Sequence, residues 1–599
     1  EKLYGSSLYT AENVVVSAIH THSGPGAFSQ YLLFGLASEG FLEISMEAQV
    51  TGIVRSIQQA HERLAPGNIY IANGNLTDAN INRSPSAYLN NPEAEREMYG
   101  HNTDTSMTQL KFTDAEGNDI GAFNWFAVHC TSMNNTNKLI SGDNKGYASY
   151  MFEKQKNNNA RPGKGKFIAG FAASNLGDIS PNTNGTFCLD SGDPCDFNTS
   201  TCHGKNELCV GRGPGRDMFE STRIIGQKQL DKAQELYASA KEELQGPVDY
   251  RHSFVDMSNV TVRLANGDTA KTCKPAMGYS FAAGTTDGPG AFNFQQGTTS
   301  PSKIWNFVSH LLHKASPEQS ACHHPKPILL DTGEMKLPYA WQPDIVDVQI
   351  IRIGQLVLVC VPGEFTTMSG RRLRAAVREA LADAGIDTPH VVLAGLSNTY
   401  SDYITTYEEY QIQRYEGAST VYGPHTLSAY TQLFQGLAQS MATRRPSPPG
   451  PPPPDLTKHQ LSFIPPVIDD AVPIGKHFGD VHQEAEGSYK VGSVVTVVFY
   501  SASPRNDLRH NDTFLTVEHK TSDGTWDVAL TDADWDTRFI WSRPHDLSAE
   551  SFAYVQWSVD PSTPPGTYRI RHFGTSKSLT QHLTPFEGTS KEFQVQAVR

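Results

Sequence analysis

Two histidines one residue apart, His20 and His22, stand where an apolar run breaks on Gly24-Pro25-Gly26. The run, Asn13 to Ile19 (NVVVSAI), carries three valines and an isoleucine and predicts a buried strand. Side chains two apart on a strand point the same way, so both imidazoles face one cleft if the strand geometry persists. Neutral imidazole is a common ligand for first-row metals, but a His-x-His pair is only part of a site. His129 repeats the pattern at the end of Trp125-Phe126-Ala127-Val128, where the plain alternative is a packed core histidine. Gly177-Asp178-Ile179-Ser180-Pro181-Asn182 is a polar turn that could present Ser180 to a cleft, without the G-x-S-x-G elbow of hydrolase triads. Glu364 follows Val361-Pro362-Gly363, a carboxylate at a strand end. Asn398 to Tyr410 packs four tyrosines and two glutamates into thirteen residues, a composition that usually means amphipathic packing.

Such residues need rigid elements to aim them. Asp347 to Pro362 (DVQIIRIGQLVLVCVP) reads as strand, while Asp217 to Leu244 and Arg371 to Ala384 show helical periodicity. The large N-terminal part, 1–443, is therefore expected to be mixed-sheet α/β. Residues 444–456 include seven prolines, which donate no ladder hydrogen bonds and favour extended polyproline II; they read as a linker. From 457 to 599 the pattern changes to short strands between turns: Val494 to Tyr500, Thr513 to His519, Trp526 to Leu530, Ala553 to Val559, Thr567 to His572 and Phe593 to Val598. That spacing predicts an immunoglobulin-like β-sandwich.

At 599 residues the chain exceeds one comfortable core. Its 49 basic and 63 acidic residues leave a net charge of −14, which argues against nucleic acid as a partner. No apolar run reaches the roughly 20 residues that span a bilayer. Glu1 opens the sequence without methionine and a site strand is predicted by residue 13, so a preceding segment is expected. Cys188, Cys195, Cys202 and Cys209 recur every seven residues in an irregular stretch, a poor fit to zinc modules and a better one to disulfides. Cys273 and Cys322 read as another pair, and Cys130 and Cys360 as buried thiols. Sequons begin at Asn75, Asn82, Asn134, Asn184, Asn198, Asn259 and Asn511. Together these favour an oxidising, glycosylating route to the cell surface or exterior, with endosomes or Golgi as further locations.

Taken in order, HTHSGPG, the strand-end FAVH, NLGDISPN, PGEFTTMSGRRLR and YITTYEEYQIQRYE closely resemble the neutral, non-lysosomal ceramidases, over essentially the whole chain. The resemblance implies one catalytic zinc held by His20, His129, Glu364 and Tyr403. Two imidazoles, a carboxylate and a phenolate form a coherent donor set with room for water. Free tyrosine has a pKa of about 10, so coordination must favour the phenolate. The reaction implied is hydrolysis of the N-acyl bond of ceramide, met at a membrane surface or in micelles, to sphingosine and a fatty acid. His22, Arg83 and Tyr415 match positions near the reacting amide, and Asp178 and Ser180 belong to the matched GDISPN motif. Cys130 follows His129 where the family often has proline; adjacent strand residues face opposite ways, so Cys130 is expected behind the site.

Two mechanisms compete for Ser180: attack to form an acyl-enzyme, or positioning of the substrate while zinc-bound water attacks. No histidine is evidently free to serve as its base, which favours water. The resemblance also implies disulfides Cys188–Cys202, Cys195–Cys209 and Cys273–Cys322. It points further to a calcium site at Asp532, Asp534 and Thr537, against the alternative of a solvated acidic loop. Other readings are an amidase for other N-acyl lipids or N-acyl amino acids, and a cell-surface binding protein with a vestigial zinc site.

Overall fold

Strand Leu356–Cys360 is apolar at every position, and its two faces go to different cores. Leu356, Leu358 and Cys360 face one way; Val357 and Val359 face the other. A strand buried on both sides needs a covering layer on each, and the fold supplies both. The protein is described as a computed structural model covering residues 4–5, 8–264, 266–290, 293–300, 313–387 and 389–596.

The first unit comprises Glu1–Phe41, Leu64–Phe152 and Phe167–Ser462. One of its sheets has five strands, in the order Ile168–Ala173, Asp119–Phe126, Ser106–Asp114, Gly67–Asn75 and Glu242–Glu243. Another has four: Val248–Asp256, Ile345–Ile353, Leu356–Cys360 and His390–Ala394. Ile71, Leu110, Trp125 and Ala172 of the first meet Leu356, Leu358, Cys360, Val392 and Ala394 of the second in a shared apolar layer. Helices Asp143–Lys156 and Met218–Ser239 pack on the outer face of the first sheet through Phe152, Ile225, Leu230 and Leu236. Helices Thr367–Asp383 and Thr426–Ala442 cover the second through Leu373, Val377, Phe434 and Leu437. The result is a four-layer α/β arrangement, as the mixed α/β expectation required.

Each sheet contains one parallel pair: Asp119–Phe126 with Ile168–Ala173, and Leu356–Cys360 with His390–Ala394. Parallel neighbours need a crossover, here the helices Asp143–Lys156 and Thr367–Asp383. The second begins four residues before the expected Arg371, because Thr366 caps it and its first turn is buried. Met218–Ser239 starts on its cap Asp217, which accepts from Glu220 N, and stops short of the expected Leu244.

Asn13 to Ile19 departs from expectation. It is extended but not part of a sheet: only Ser17 bridges, to Ser397, while Asn398 N donates to Val16 O and Val16 N to the side-chain Oδ1 of Asn398, beyond the end of strand His390–Ala394. Its partner is a loop, which offers no continuous ladder.

Residues 444–456 are tied down by hydrogen bonds along their backbone. The proline carbonyls still accept, so Ser253 Oγ donates to Pro448 O (2.5 Å) and Phe254 N to Pro449 O (2.9 Å). This stretch belongs to the first unit, which ends at Ser462. The second unit is Phe463–Arg599 together with Leu42–Arg63 and Glu153–Lys166. All six strands expected there form, with shifted ends, joined by Val481–Gln483, Ser488–Lys490, Thr537–Ser542 and Leu583–Thr589. They make a four-stranded and a six-stranded sheet that enclose one core, including Val497, Phe499, Val517, Trp557, Ile570 and Phe593.

The disulfides are Cys188–Cys202, Cys195–Cys209 and Cys273–Cys322, with Cys130 and Cys360 free and buried. Replacing Cys195 and Cys209 by serine opens a loop closed over 14 residues. This is expected to cost about 3 kcal/mol by the chain-entropy model, read as a lower thermal midpoint in calorimetry.

Of the sequon asparagines, Asn82 is buried at 8% exposure, and its side-chain amide donates to Asp178 Oδ2 and Asn102 O. The other six are exposed. Glycopeptide mapping after secretion from eukaryotic cells is expected to find Asn82 unmodified; glycan at Asn82 in folded protein would contradict this packing.

Candidate metal centre and catalytic groups

The predicted site residues lie beyond the carboxyl ends of the two parallel pairs, where open α/β sheets commonly bind ligands. His129 comes just after Phe126, Ser180 after Ala173, Glu364 after Cys360 and Tyr403 after Ala394. Short secondary pairings fix them further. Glu364 lies beside Tyr403 in a two-residue parallel ladder, and Ser180 pairs with Ile81. The His-x-His loop is tied to the same edge, since His22 N donates to Cys130 O (3.3 Å). His20 itself adopts φ 64, so a left-handed kink, not strand alternation, brings the two imidazoles together. Gly177 is required by close approach: a Cβ there would lie 2.8 Å from Glu364 O.

Glu364 is the hub. Its Oε1 lies 3.2 Å from His20 Nε2 and accepts from Tyr400 Oη (2.6 Å); its Oε2 lies 2.9 Å from His129 Nε2. His22 Nε2 is 3.2 Å from His20 Nε2, and ligand atoms of His20, His22 and His129 all fall within 4.8 Å of one another. Burial works to raise the Glu364 pKa, but His20 and His129 overcome it and hold the carboxyl well below its usual range. Burial, reinforced by Arg83, lowers His129; burial, with His20 and His129, lowers His22, which remains solvent-accessible.

The hydrogen bonds of His129 test whether a cation fits. Its Nδ1 is 2.7 Å from Ile179 O, and a carbonyl can only accept, so the proton sits on Nδ1. In the neutral ring Nε2 then carries a lone pair, aimed at a carboxylate oxygen 2.9 Å away. Burial disfavours the imidazolium that would relieve this opposition. A metal cation relieves it, with the Nδ1–H to carbonyl bond orienting the ligand from behind. The residues present therefore fit the expected ion: imidazole nitrogens, a carboxylate and the neighbouring Tyr403 phenol are a zinc-type donor set.

Arg83 organises the other half of the site. It donates through Nε to Glu416 Oε1 (3.0 Å), through Nη1 to Asp287 Oδ2 (3.1 Å), and through Nη2 to Gly177 O (2.9 Å) and Tyr403 Oη (3.0 Å). Burial opposes its charge, but Tyr403, Glu416 and Asp287 outweigh that and raise its pKa well above normal. Ser180 Oγ donates to Asp287 Oδ1 (2.5 Å) and accepts from Asn182 N (3.0 Å). The Tyr415 ring stands edge-on to Tyr403 with centroids 5.3 Å apart. Asp178 is turned away from the imidazoles. Its carboxylate accepts from Thr367 N, Thr367 Oγ1 and Asn82 Nδ2, which ties the Ser180 turn to the start of helix Thr367–Asp383.

Sequence reasoning passed over Asp287, Tyr400 and Glu416. Asp287 reaches Ser180 from 107 residues away, off a short Gly/Thr-rich turn with no pattern of its own. Tyr400 and Glu416 sat in or beside motifs already singled out, but nothing in their spacing separates them from packing residues. Cys130 lies behind the site as expected, fully buried, with its Sγ toward Asn144 Oδ1.

In the second unit, Asp534 and Thr537 close their own turn, while Asp532 ties it to the segment at Phe514. Asp532 Oδ2 accepts from Phe514 N, Asp534 Oδ2 from Thr531 N, and Thr537 Oγ1 donates to Thr531 O. Among the described residues no three-ligand His/Cys/Asp/Glu cluster includes them.

Family models described as neutral/alkaline non-lysosomal ceramidase, N-terminal and C-terminal, match residues 1–432 and 434–595. The chain is 52% identical to neutral ceramidase B of Dictyostelium discoideum, covering 100% of this chain and 84% of that protein. It is 47% identical to a neutral ceramidase of Oryza sativa subsp. japonica, covering 99% and 85%. Among solved structures, a ceramidase complexed with C2 superposes with a TM-score of 0.87 at 41% identity, over 99% of this chain and 87% of the other. The neutral ceramidase of Pseudomonas aeruginosa gives 0.84 at 39% identity, over 99% and 87%. With both halves of the sequence and the whole fold matched, this chain belongs to the neutral/alkaline non-lysosomal ceramidase family.

Proposed function

We propose that the chain is a zinc-dependent amidohydrolase that cleaves the N-acyl bond of ceramide to sphingosine and a free fatty acid. The observation that carries the metal part is the His129 Nε2 lone pair facing the Glu364 carboxylate at 2.9 Å, an arrangement that calls for a cation. His20, His129, Glu364 and Tyr403 would hold the ion; burial and Glu364 raise the Tyr403 pKa, Arg83 donates to its oxygen and only partly opposes them, and the bound cation itself would favour the phenolate. Zinc, when bound, supplies Lewis acidity that acidifies water and polarises an amide carbonyl. Tyr400 and Ile179 O hold the ligands from behind, and Asp178 fixes the turn that carries Ser180. His22 and Tyr415 are assigned to hydrogen-bond the amide; the Tyr415 hydroxyl makes no hydrogen bond among the described residues.

Ser180 faces a carboxylate instead of an imidazole. A carboxylate already paired with Arg83 is a weak base for an alcohol, which supports water as the attacker. Three disulfides support passage through the secretory pathway to the cell surface or exterior, where ceramide is met in membranes or micelles. We also read the two-sheet C-terminal unit as immunoglobulin-like. The test is product analysis: the zinc-loaded protein with N-acyl sphingosine should release equal amounts of fatty acid and sphingosine. No release above a heat-inactivated control would refute the assignment.

A further inference from the structure

The Ser180 hydroxyl is committed in one direction. It gives its single proton to Asp287 Oδ1 at 2.5 Å and accepts from Asn182 N at 3.0 Å. A serine hydroxyl has one proton and two lone pairs, so what remains is one lone pair and no proton. Asp287 acts as acceptor at every one of its side-chain contacts: Oδ1 also takes Asn182 Nδ2 (2.7 Å), and Oδ2 takes Arg83 Nη1 (3.1 Å). Arg83 is itself bracketed by two carboxylates, Asp287 and Glu416, so it has no surplus charge for a third anion.

We propose that Asp287 is a positioning residue for amide hydrolysis, making Ser180 an obligate hydrogen-bond acceptor that selects N-acyl amino alcohols over N-acyl amino acids. A hydroxyl on the amine side of the substrate can donate to the open lone pair. A carboxylate there brings only acceptors, against Ser180 Oγ with Asp287 behind it, where like charges repel. Ser180 is only 1% exposed, which suits a small group such as a hydroxyl. The inference rests on the ceramidase reading above and adds to it the residue that sets the head-group preference.

A double-mutant cycle on the zinc-loaded full chain tests it, with kcat and KM for a short-chain ceramide in micelles and for an N-acyl glycine of equal acyl length. Asp287→Asn keeps the size but puts an N–H where the carboxylate accepted. It should lower kcat/KM for ceramide by roughly 10- to 150-fold, the range for one charge-assisted hydrogen bond, with zinc content unchanged and a lower thermal midpoint, because the buried partner of Arg83 is lost as well. Added to Ser180→Ala it should cost no more than about twofold further, because it acts through Ser180. The unmodified chain should favour ceramide over the N-acyl glycine by at least ~100-fold, and Asp287→Asn should narrow that ratio. Additive losses in the cycle, or equal use of the two substrates by the unmodified chain, would overturn the proposal. Should Asp287→Asn fail to fold, Asp287→Glu, which keeps the charge and the acceptor but moves it, takes its place in the cycle, and a loss additive with that of Ser180→Ala overturns the proposal. If the unmodified zinc-loaded chain hydrolyses neither substrate, the ceramidase reading itself is wrong, and this proposal falls with it.

Discussion

Ceramide hydrolysis and bound zinc are expected to disappear together when His129 is replaced by alanine. The substitution removes one imidazole and leaves Glu364 with a single close histidine, His20, on its other oxygen. It also empties a position that is fully buried, so no solvent ligand replaces the ring without rearrangement. Lewis-acid stabilisation is worth several kcal/mol, so loss of the ion should lower kcat/KM by more than about a thousandfold. Glu364→Gln should act alike, since a neutral amide leaves the imidazole lone pairs and the cation without their counter-charge. Metal analysis beside fatty-acid release checks both; either variant retaining full activity without zinc would remove these residues from the centre.

Ser180→Ala is the second large effect, and it separates the two mechanisms. With water as attacker, the variant loses a hydrogen bond of about 1.5–3 kcal/mol, a fall of roughly 10- to 150-fold, or more if the amide pose shifts. Zinc content should stay at the unmodified level, because Ser180 touches Asp287 and Asn182 and none of the imidazoles. Rapid-quench mass spectrometry with ceramide should then show no acyl adduct at any time. A kinetically competent acyl-serine at position 180 would establish the covalent route and make Asp287 its base.

Much of this site was legible because its pieces are local. A histidine or glutamate at the end of an apolar strand can be read from a few residues, and the crossover helices announce themselves by periodicity. HTHSGPG singled out two histidines whose rings the structure brings together, but by another geometry than strand alternation: the run before them pairs with a loop, and a positive φ at His20 does the turning. What could not be read was the long-range wiring. The Asp287–Ser180 and Arg83–Glu416 contacts span 107 and 333 residues, and neither partner carries a pattern that names the other. Proline composition likewise marked 444–456 as extended but hid its carbonyls, which bind Ser253 and Phe254. The second unit's recruitment of Leu42–Arg63 and Glu153–Lys166 leaves no trace in local sequence at all.

In the proposed reading one zinc ion, held where His129 and Glu364 meet, runs the hydrolysis of ceramide. Its most direct test is stepwise zinc return to chelator-stripped protein, following metal content by mass spectrometry and fatty-acid release from ceramide in the same samples. Activity should rise in proportion to bound zinc and level off at one ion per chain, with no recovery in His129→Ala. Full ceramide hydrolysis by the zinc-free protein, or recovery unaffected by loss of His129, would contradict the account.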